Sequence, residues 1–351
     1  MKFAELPRGA LASLAAALLF GAGTPLAKLL LDHTSPWLLA ALLYLGSGLG
    51  LLLLRLLRPT ARVRLAPGQA KWLAGAVAAG GVCGPVLLML GLSGMAASSA
   101  SLLLNAEAVF TALLAWFVFK ENFDRRIALG MLAIVAGGLL LAWPGRMDWP
   151  GWRPALLVAG ACFAWAIDNN LTRKVSLADA SWIAMVKGLA AGITNLALAF
   201  WLGADWPPGT VVAAAALLGF ASYGASLALF VVGLRELGTA RTGAYFSVAP
   251  FFGAALAIGV LGEPLTAPLL AAGALMAVGV AMHLTERHQH RHAHEPLAHA
   301  HEHVHGAGDP HHDHSHEPAL PAGTRHAHAH RHEPLVHSHA HFPDAHHRHP
   351  H

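Results

Sequence analysis

Apolar residues in this chain come in long unbroken blocks, not in alternation and not at sparse helical intervals. Ten blocks stand out, at 10–31, 37–54, 72–92, 96–119, 126–143, 153–172, 181–202, 210–234, 239–261 and 266–284. Crossing a bilayer as a helix takes about 20 such residues. Barrel strands would be shorter and would alternate, so continuous blocks predict helices. The pattern therefore predicts an all-α membrane protein with ten transmembrane helices. Beyond residue 284 the apolar pattern stops, and 285–351 is polar.

Two blocks share an unusual build. Residues 96–119 carry Asn105 and Glu107 near the middle and run into Lys120-Glu121-Asn122; residues 243–262 carry Ala249-Pro250-Phe251 and run into Gly262-Glu263-Pro264. An offset of 142 residues lays Glu121 on Glu263 and Ala108 on Pro250. Helix breakers also recur in pairs: Gly80, Gly81, Gly84 and Pro85 in the third block, Gly219 and Gly224 in the eighth. The first block has Gly21, Gly23 and Pro25. A duplicated chain with five spans per copy must enter the membrane in opposite senses. That predicts two inverted five-helix repeats, with a site between them near mid-membrane. The expected organisation is a cytoplasmic N-terminus (1–9), a first repeat (10–143), an external linker (144–152), a second repeat (153–284) and a histidine-rich cytoplasmic tail (285–351).

Composition sharpens this. The 351 residues are 55% hydrophobic and 12% charged, against about 25% charged in soluble globular domains. A net charge of +4 with no basic soluble module argues against nucleic-acid binding. Cys83 and Cys162 sit inside apolar runs and suggest no disulfide framework. The first block is longer than a signal-peptide core and is read as a membrane helix. Loop charge is lopsided: Arg55, Arg58, Arg62, Arg64, Lys71, Arg125, Arg126, Arg173 and Lys174 fall on one side with the N-terminus, and only Arg146 and Arg153 on the other. The positive-inside rule then puts both termini in the cytoplasm of a multi-pass inner-membrane protein.

Ionisable residues inside the blocks are the candidate site. A mid-bilayer carboxylate costs roughly 2.5–3.5 kcal/mol even on a lenient scale, so Glu107 needs a proton, a partner or a wet cavity. It reads either as a group that binds a cation or cycles a proton, or as one that holds the bundle together. Asp168 and Lys187 fall at matching depth on successive blocks, with Trp165 and Thr172 on the face of Asp168 and Asn195 on the face of Lys187. They read as a gate or binding pair, or as a static ion pair. Asn105 and Asn169 add polar groups at these depths. Thr24 and Lys28 lie beside Pro25, with snorkelling the default for Lys28. Tyr245 offers an aromatic, hydrogen-bonding wall or plain packing.

At these residues the chain resembles the drug/metabolite transporter superfamily, in its EamA-type branch. The resemblance covers 10–284 and rests on Gly21-Ala22-Gly23-Thr24-Pro25 with Lys28, on Leu103-Leu104-Asn105-Ala106-Glu107 followed by Lys120-Glu121, and on Ala249-Pro250 followed by Gly262-Glu263-Pro264. It implies ten helices in two inverted repeats around a central cavity, and alternating-access transport of amino acids or related metabolites. The sequence departs from the family pattern at Ala108, where a proline is common, and at Lys120, where a glycine is common.

The tail has its own chemistry. Of 25 histidines, 23 lie beyond residue 287, many in His-x-His runs. His299, His301, His303, His305, His311, His312, His314, His316, His326, His328 and His330 are candidate ligands for Zn²⁺, Ni²⁺, Co²⁺ or Cu²⁺. With no apolar period to build a core, the metal-free tail is expected to be disordered. Three functions follow: a secondary transporter of small metabolites, working as an efflux carrier and needing no cofactor; a divalent transition-metal transporter or metal-regulated transporter; and a non-transporting metal sensor. No catalytic constellation points to an enzyme. The expected partners are a small-molecule substrate and the lipid bilayer, with oligomeric state, a homodimer included, left open.

Overall fold

A computed structural model describes residues 8–57, 63, 65, 68–119, 125–143, 149–175, 179–237, 242, 245–284, 289–294, 297–304, 325–332 and 335–340. Two compact units emerge, Met1–Glu286 and Arg287–His351. Every described element of the first unit is a helix. We number them α1 (Arg8–Leu31), α2 (Pro36–Leu57), α3 (Gln69–Ser93), α4 (Ala97–Leu103), α5 (Ala106–Phe119), α6 (Arg125–Ala142), α7 (Trp149–Thr172), α8 (Ala180–Trp201), α9 (Gly209–Gly219, resuming as Ser226–Leu237), α10 (Ala249–Leu261) and α11 (Ala267–Leu284). Among the described residues, seven helices are long and apolar enough to cross a membrane. Large side chains such as Leu53, Phe117, Leu132 and Leu217 point outward. In water that would be costly; in lipid it is the expected exterior.

The helices interleave across the two halves of the chain. α1 packs on α9 and α10, α2 on α8 and α9, α3 and α5 on α7, α4 on α10, and α6 on α11. Small residues set the spacing. A Cβ on Gly188 would come within 2.8 Å of the Gly48 backbone nitrogen, and one on Gly48 within 2.6 Å of the Leu189 nitrogen. Without aqueous hydrophobic drive, such close backbone contact is what membrane helices gain from. Arg55, near the end of α2, bonds Asp179 at the start of α8, so these two helices run antiparallel. Gly137 against Ala272, and Gly279 against Gly130, give α6 and α11 the same relation.

Three helices are interrupted. The expected continuous helix over 96–119 is broken at Leu104–Asn105, and α5 restarts at Ala106. The cause is Asn105, whose amide Nδ2 donates to Leu102 O at 2.8 Å and so competes with the helical ladder. The Cys162 thiol lies 3.7 and 3.9 Å from the neighbouring carbonyls of Leu103 and Leu104. In the second half α10 begins with Ala249-Pro250 at its first turn. The two stretches thus start a helix at Ala106 and at Ala249, within one residue of the 142-residue offset, one after asparagine and one with proline in its first turn. The other two interruptions are π-helical: Val77–Cys83 within α3 and Phe220–Ala225 within α9. The same 142-residue offset that relates Glu121 to Glu263 carries 77–83 onto 219–225.

The second unit, Arg287–His351, is described in four short segments. Its described backbone forms β1 (Gln289–His294), β2 (Leu297–Val304), β3 (Arg325–His332) and β4 (Leu335–Ala340), with β1 antiparallel to β4 and β2 antiparallel to β3. The His-x-His repeat has a period of two, the side-chain period of a strand. Of the candidate ligands, His305, His311, His312, His314 and His316 lie outside the described residues.

Candidate functional site

The polar centre is built where α5, α7 and α8 meet the π-helical turn of α3. A π turn widens the helix and leaves carbonyls outside the regular ladder. Gly80 O accepts from the Trp165 indole N–H and from the Tyr44 hydroxyl, each at 2.9 Å, and Gly81 O accepts from Asn195 Nδ2 at 3.0 Å. Gly80 has no side chain because Asp168 lies against its Cα; any Cβ there would collide with the carboxylate. Trp165 therefore serves the α3 turn. Asn195 is fully buried, and its Oδ1 has no hydrogen-bond partner among the described residues.

Asp168 faces Lys187 as the equal depths of the two residues predict. Lys187 Nζ donates to both carboxylate oxygens, at 2.5 and 2.6 Å. Thr172 Oγ1 donates to Asp168 Oδ1 at 2.8 Å and accepts from Lys187 at 3.3 Å. The pair is largely sequestered, with side-chain exposures of 9% for Asp168 and 18% for Lys187. Lys187 is thereby fully engaged by groups of the protein.

Glu107 is different. It opens α5, immediately after the break at Asn105, and its Oε1 accepts from Asn169 Nδ2 at 2.7 Å. Asp168 and Lys187 both lie within electrostatic range of it, as does Tyr44. No cation bonds Glu107 directly among the described residues. Three ionisable side chains thus share one locus, and two of them neutralise each other.

An aromatic wall adjoins this locus. Tyr44 and Tyr223 meet at a tilt of 35° with ring centres 5.5 Å apart, Phe20 meets Tyr223 edge-on at 5.9 Å, and Phe246 continues the cluster through Phe20 and Phe230. Tyr245 is half-buried, and the ring contacts next to it are made by its neighbour Phe246. Tyr44 and Tyr223 escaped the sequence reading. Their only signal is that each is a lone tyrosine in an otherwise apolar block.

Of the remaining candidates, Asn105 and Lys28 have structural partners. Asn105 is buried and holds the helix break. Thr24 is buried beside Pro25. Lys28 does not snorkel: its ammonium donates to Leu92 O at 2.6 Å and Met95 O at 3.1 Å, at the C-terminal end of α3, where a cation is favoured. Among the described residues no three His, Cys, Asp or Glu side chains gather to hold a metal ion.

A bundle of apolar helices with paired interruptions around a buried ionic centre defines a polytopic membrane transporter. The model of the EamA-like transporter family matches this chain twice, over residues 7–143 and 152–285, and the chain belongs to that family. An "uncharacterized transporter" of Methanothermobacter thermautotrophicus is 31% identical over 205 residues, covering 57% of this chain and 60% of that protein. The chain thus spans about three-fifths of that relative's length. A "probable amino-acid metabolite efflux pump" of Salmonella typhimurium is 27% identical over 217 residues, 54% of this chain and 68% of that protein. A crystal structure superposes with a TM-score of 0.58 at 21% identity, over 78% of this chain and 95% of the other, a likeness of fold alone.

Proposed function

We propose that this protein exports small amine-bearing metabolites across the cytoplasmic membrane by alternating access between two inverted five-helix repeats. The inversion is supported by the antiparallel packing of equivalent helices, α2 on α8 and α6 on α11, and by π turns at equivalent positions. The observation that carries the substrate class is the charge balance at the centre. Lys187 is saturated by Asp168 and Thr172, so it offers little to a substrate carboxylate. Among the described residues the Glu107 carboxylate has the Asn169 amide as its direct side-chain partner, which leaves a carboxylate to be met by a proton or by a cationic group. Tyr44, within electrostatic range of both carboxylates, supplies an aromatic face suited to an ammonium. The wording of the Salmonella relative's name agrees with amino-acid-related cargo and with efflux. The loop charge bias supports cytoplasmic termini.

Transport by purified protein in liposomes tests this, using radiolabelled amines and amino acids with and without an imposed pH gradient. Glu107→Gln is expected to abolish uptake of cationic substrate, or to remove its dependence on the gradient. Unchanged transport by that variant would reduce Glu107 to scaffold. Reporter tags near Arg62 and Arg125 are expected on the same face of the membrane.

A further inference from the structure

We infer that Lys28 binds the carboxylate of a zwitterionic substrate, at a second station on the path beyond Glu107. The inference rests on the transport function proposed above and deepens it. An exported amino acid carries a carboxylate as well as an ammonium, and Lys187 is already taken by Asp168 and Thr172. Lys28 is bonded differently. An ammonium has three N–H donors. Those of Lys28 reach Leu92 O at 2.6 Å and Met95 O at 3.1 Å, two neutral carbonyls, and one donor is left over. The C-terminal end of α3 supplies only about half a negative charge. Asp32 follows four residues later, and Glu263 bonds the N–H groups of Ala97 and Ser98 just past Met95. No carboxylate bonds Lys28 among the described residues. A half-buried cation without an anion is costly as scaffold within a membrane span, and its position points to function.

The place of Lys28 in α1 connects it to the polar centre. Phe20, Thr24 and Lys28 follow one another at intervals of four, which sets them along one face of the helix. Phe20 meets Tyr223, and Tyr223 meets Tyr44, so this stripe begins at the aromatic wall. Thr24, one turn on, is buried. Lys28 lies about 12 Å beyond Phe20 at 1.5 Å per residue, toward the end of α1 away from Arg8. The amine and carboxylate of one α-amino acid sit on the same carbon and do not span that length. The two charged ends are therefore met in turn, the amine by Glu107 at the centre and the carboxylate by Lys28 nearer the far mouth. A carboxylate arriving there takes the third N–H of Lys28, or replaces a carbonyl, in a charge-assisted hydrogen bond stronger than the neutral one.

The test uses full-length protein in liposomes and a panel of alanine, leucine, lysine and phenylalanine. Each amino acid is measured beside its amide and beside the amine left when its carboxylate is removed. In Lys28→Gln the ratio of amino-acid to amine transport is expected to fall about tenfold, the loss of one hydrogen bond between charged groups. The ratio is taken within one preparation, so it does not depend on how much of the variant is folded. Lys28→Arg keeps the charge and is expected to keep the ratio. In wild type each amide is expected to be carried with a KM about tenfold above that of its acid, for the same reason. Amino acid and amine lost alike in Lys28→Gln would leave Lys28 only its cap on α3 and would overturn the inference. Amides carried as well as acids by wild type would overturn it too, and that comparison needs no variant to fold. Wild type that carries neither amino acids nor amines would sink the transport reading itself, a different failure.

Discussion

The carboxylate of Glu263 accepts a hydrogen bond from the Ser98 backbone N–H at 2.8 Å, and its other oxygen accepts from Ala97 N–H at 2.6 Å. Glu263 follows α10 in the second half of the chain, while Ala97 and Ser98 open α4 in the first. The acid in the Gly262-Glu263 turn is thus the cap of a helix in the opposite repeat. It satisfies two N–H groups that the first turn leaves without intrahelical partners, and its charge lies at the favourable end of the helix dipole. Gly262 makes the geometry possible by turning the chain at φ 67°, in the left-handed region.

Replacing Glu263 by Gln keeps one acceptor and removes the charge and the two-oxygen grip. Loss of a helix N-cap costs about 0.5–2 kcal/mol. Glu263→Gln is expected at the low end and Glu263→Ala at the high end, read as a lowered midpoint of thermal unfolding in detergent. A midpoint unchanged in both variants would mean that other groups satisfy the α4 N-terminus.

The Asp168–Lys187 pair calls for a double-mutant cycle. Breaking a buried pair by removing one partner costs about 3–5 kcal/mol, because the other charge is left stranded, whereas replacing both is often close to neutral. Asp168→Asn and Lys187→Met are each expected to destabilise strongly, and the double variant to recover most of the loss. If the single losses merely add, the two side chains act independently and the charge balance argued for Glu107 fails with them.

Much of this architecture is legible in sequence because the bilayer imposes it. Helix length follows from membrane thickness, so most apolar blocks mark the helices to within a few residues; the block 239–261 does not, since its described helix starts only at Ala249. Asp168 and Lys187 could be paired from depth alone, since both lie just inside adjoining helix ends. The break at Asn105 was hidden because it depends on where one side-chain amide turns. The role of Trp165 was hidden because the carbonyl it serves exists only once α3 adopts a π turn. Glu263 gave no hint of its partner, 165 residues away in sequence. Contacts between halves follow from how the repeats dock, and no local pattern encodes that.

Asp179 gives a prediction that depends on pH. It is the N-cap of α8, where its Oδ1 accepts from Ser181 Oγ at 2.6 Å, Trp182 N–H at 2.8 Å and Arg55 at 2.8 Å. Partial burial pushes its carboxyl pKa up. The Ser181 and Trp182 hydrogen bonds, with the charge and hydrogen bond of Arg55, outweigh that, and the net shift is downward. A depressed folded-state pKa means the folded protein holds the carboxylate more firmly than the unfolded chain, whose Asp titrates near 3.9. The stabilisation is therefore fully present above that value and is lost as pH falls through the lower, folded one. Because the side chain is 41% exposed, solvent screens the Arg55 contribution, and the cap dominates at about 1 kcal/mol. Asp179→Ala should accordingly lower stability near pH 7, and the gap from wild type should narrow as pH drops below about 4. Unfolding midpoints of both proteins across pH 3–7 measure this. A gap that stays constant over the whole range would mean that the carboxylate charge contributes nothing and that only side-chain packing is lost.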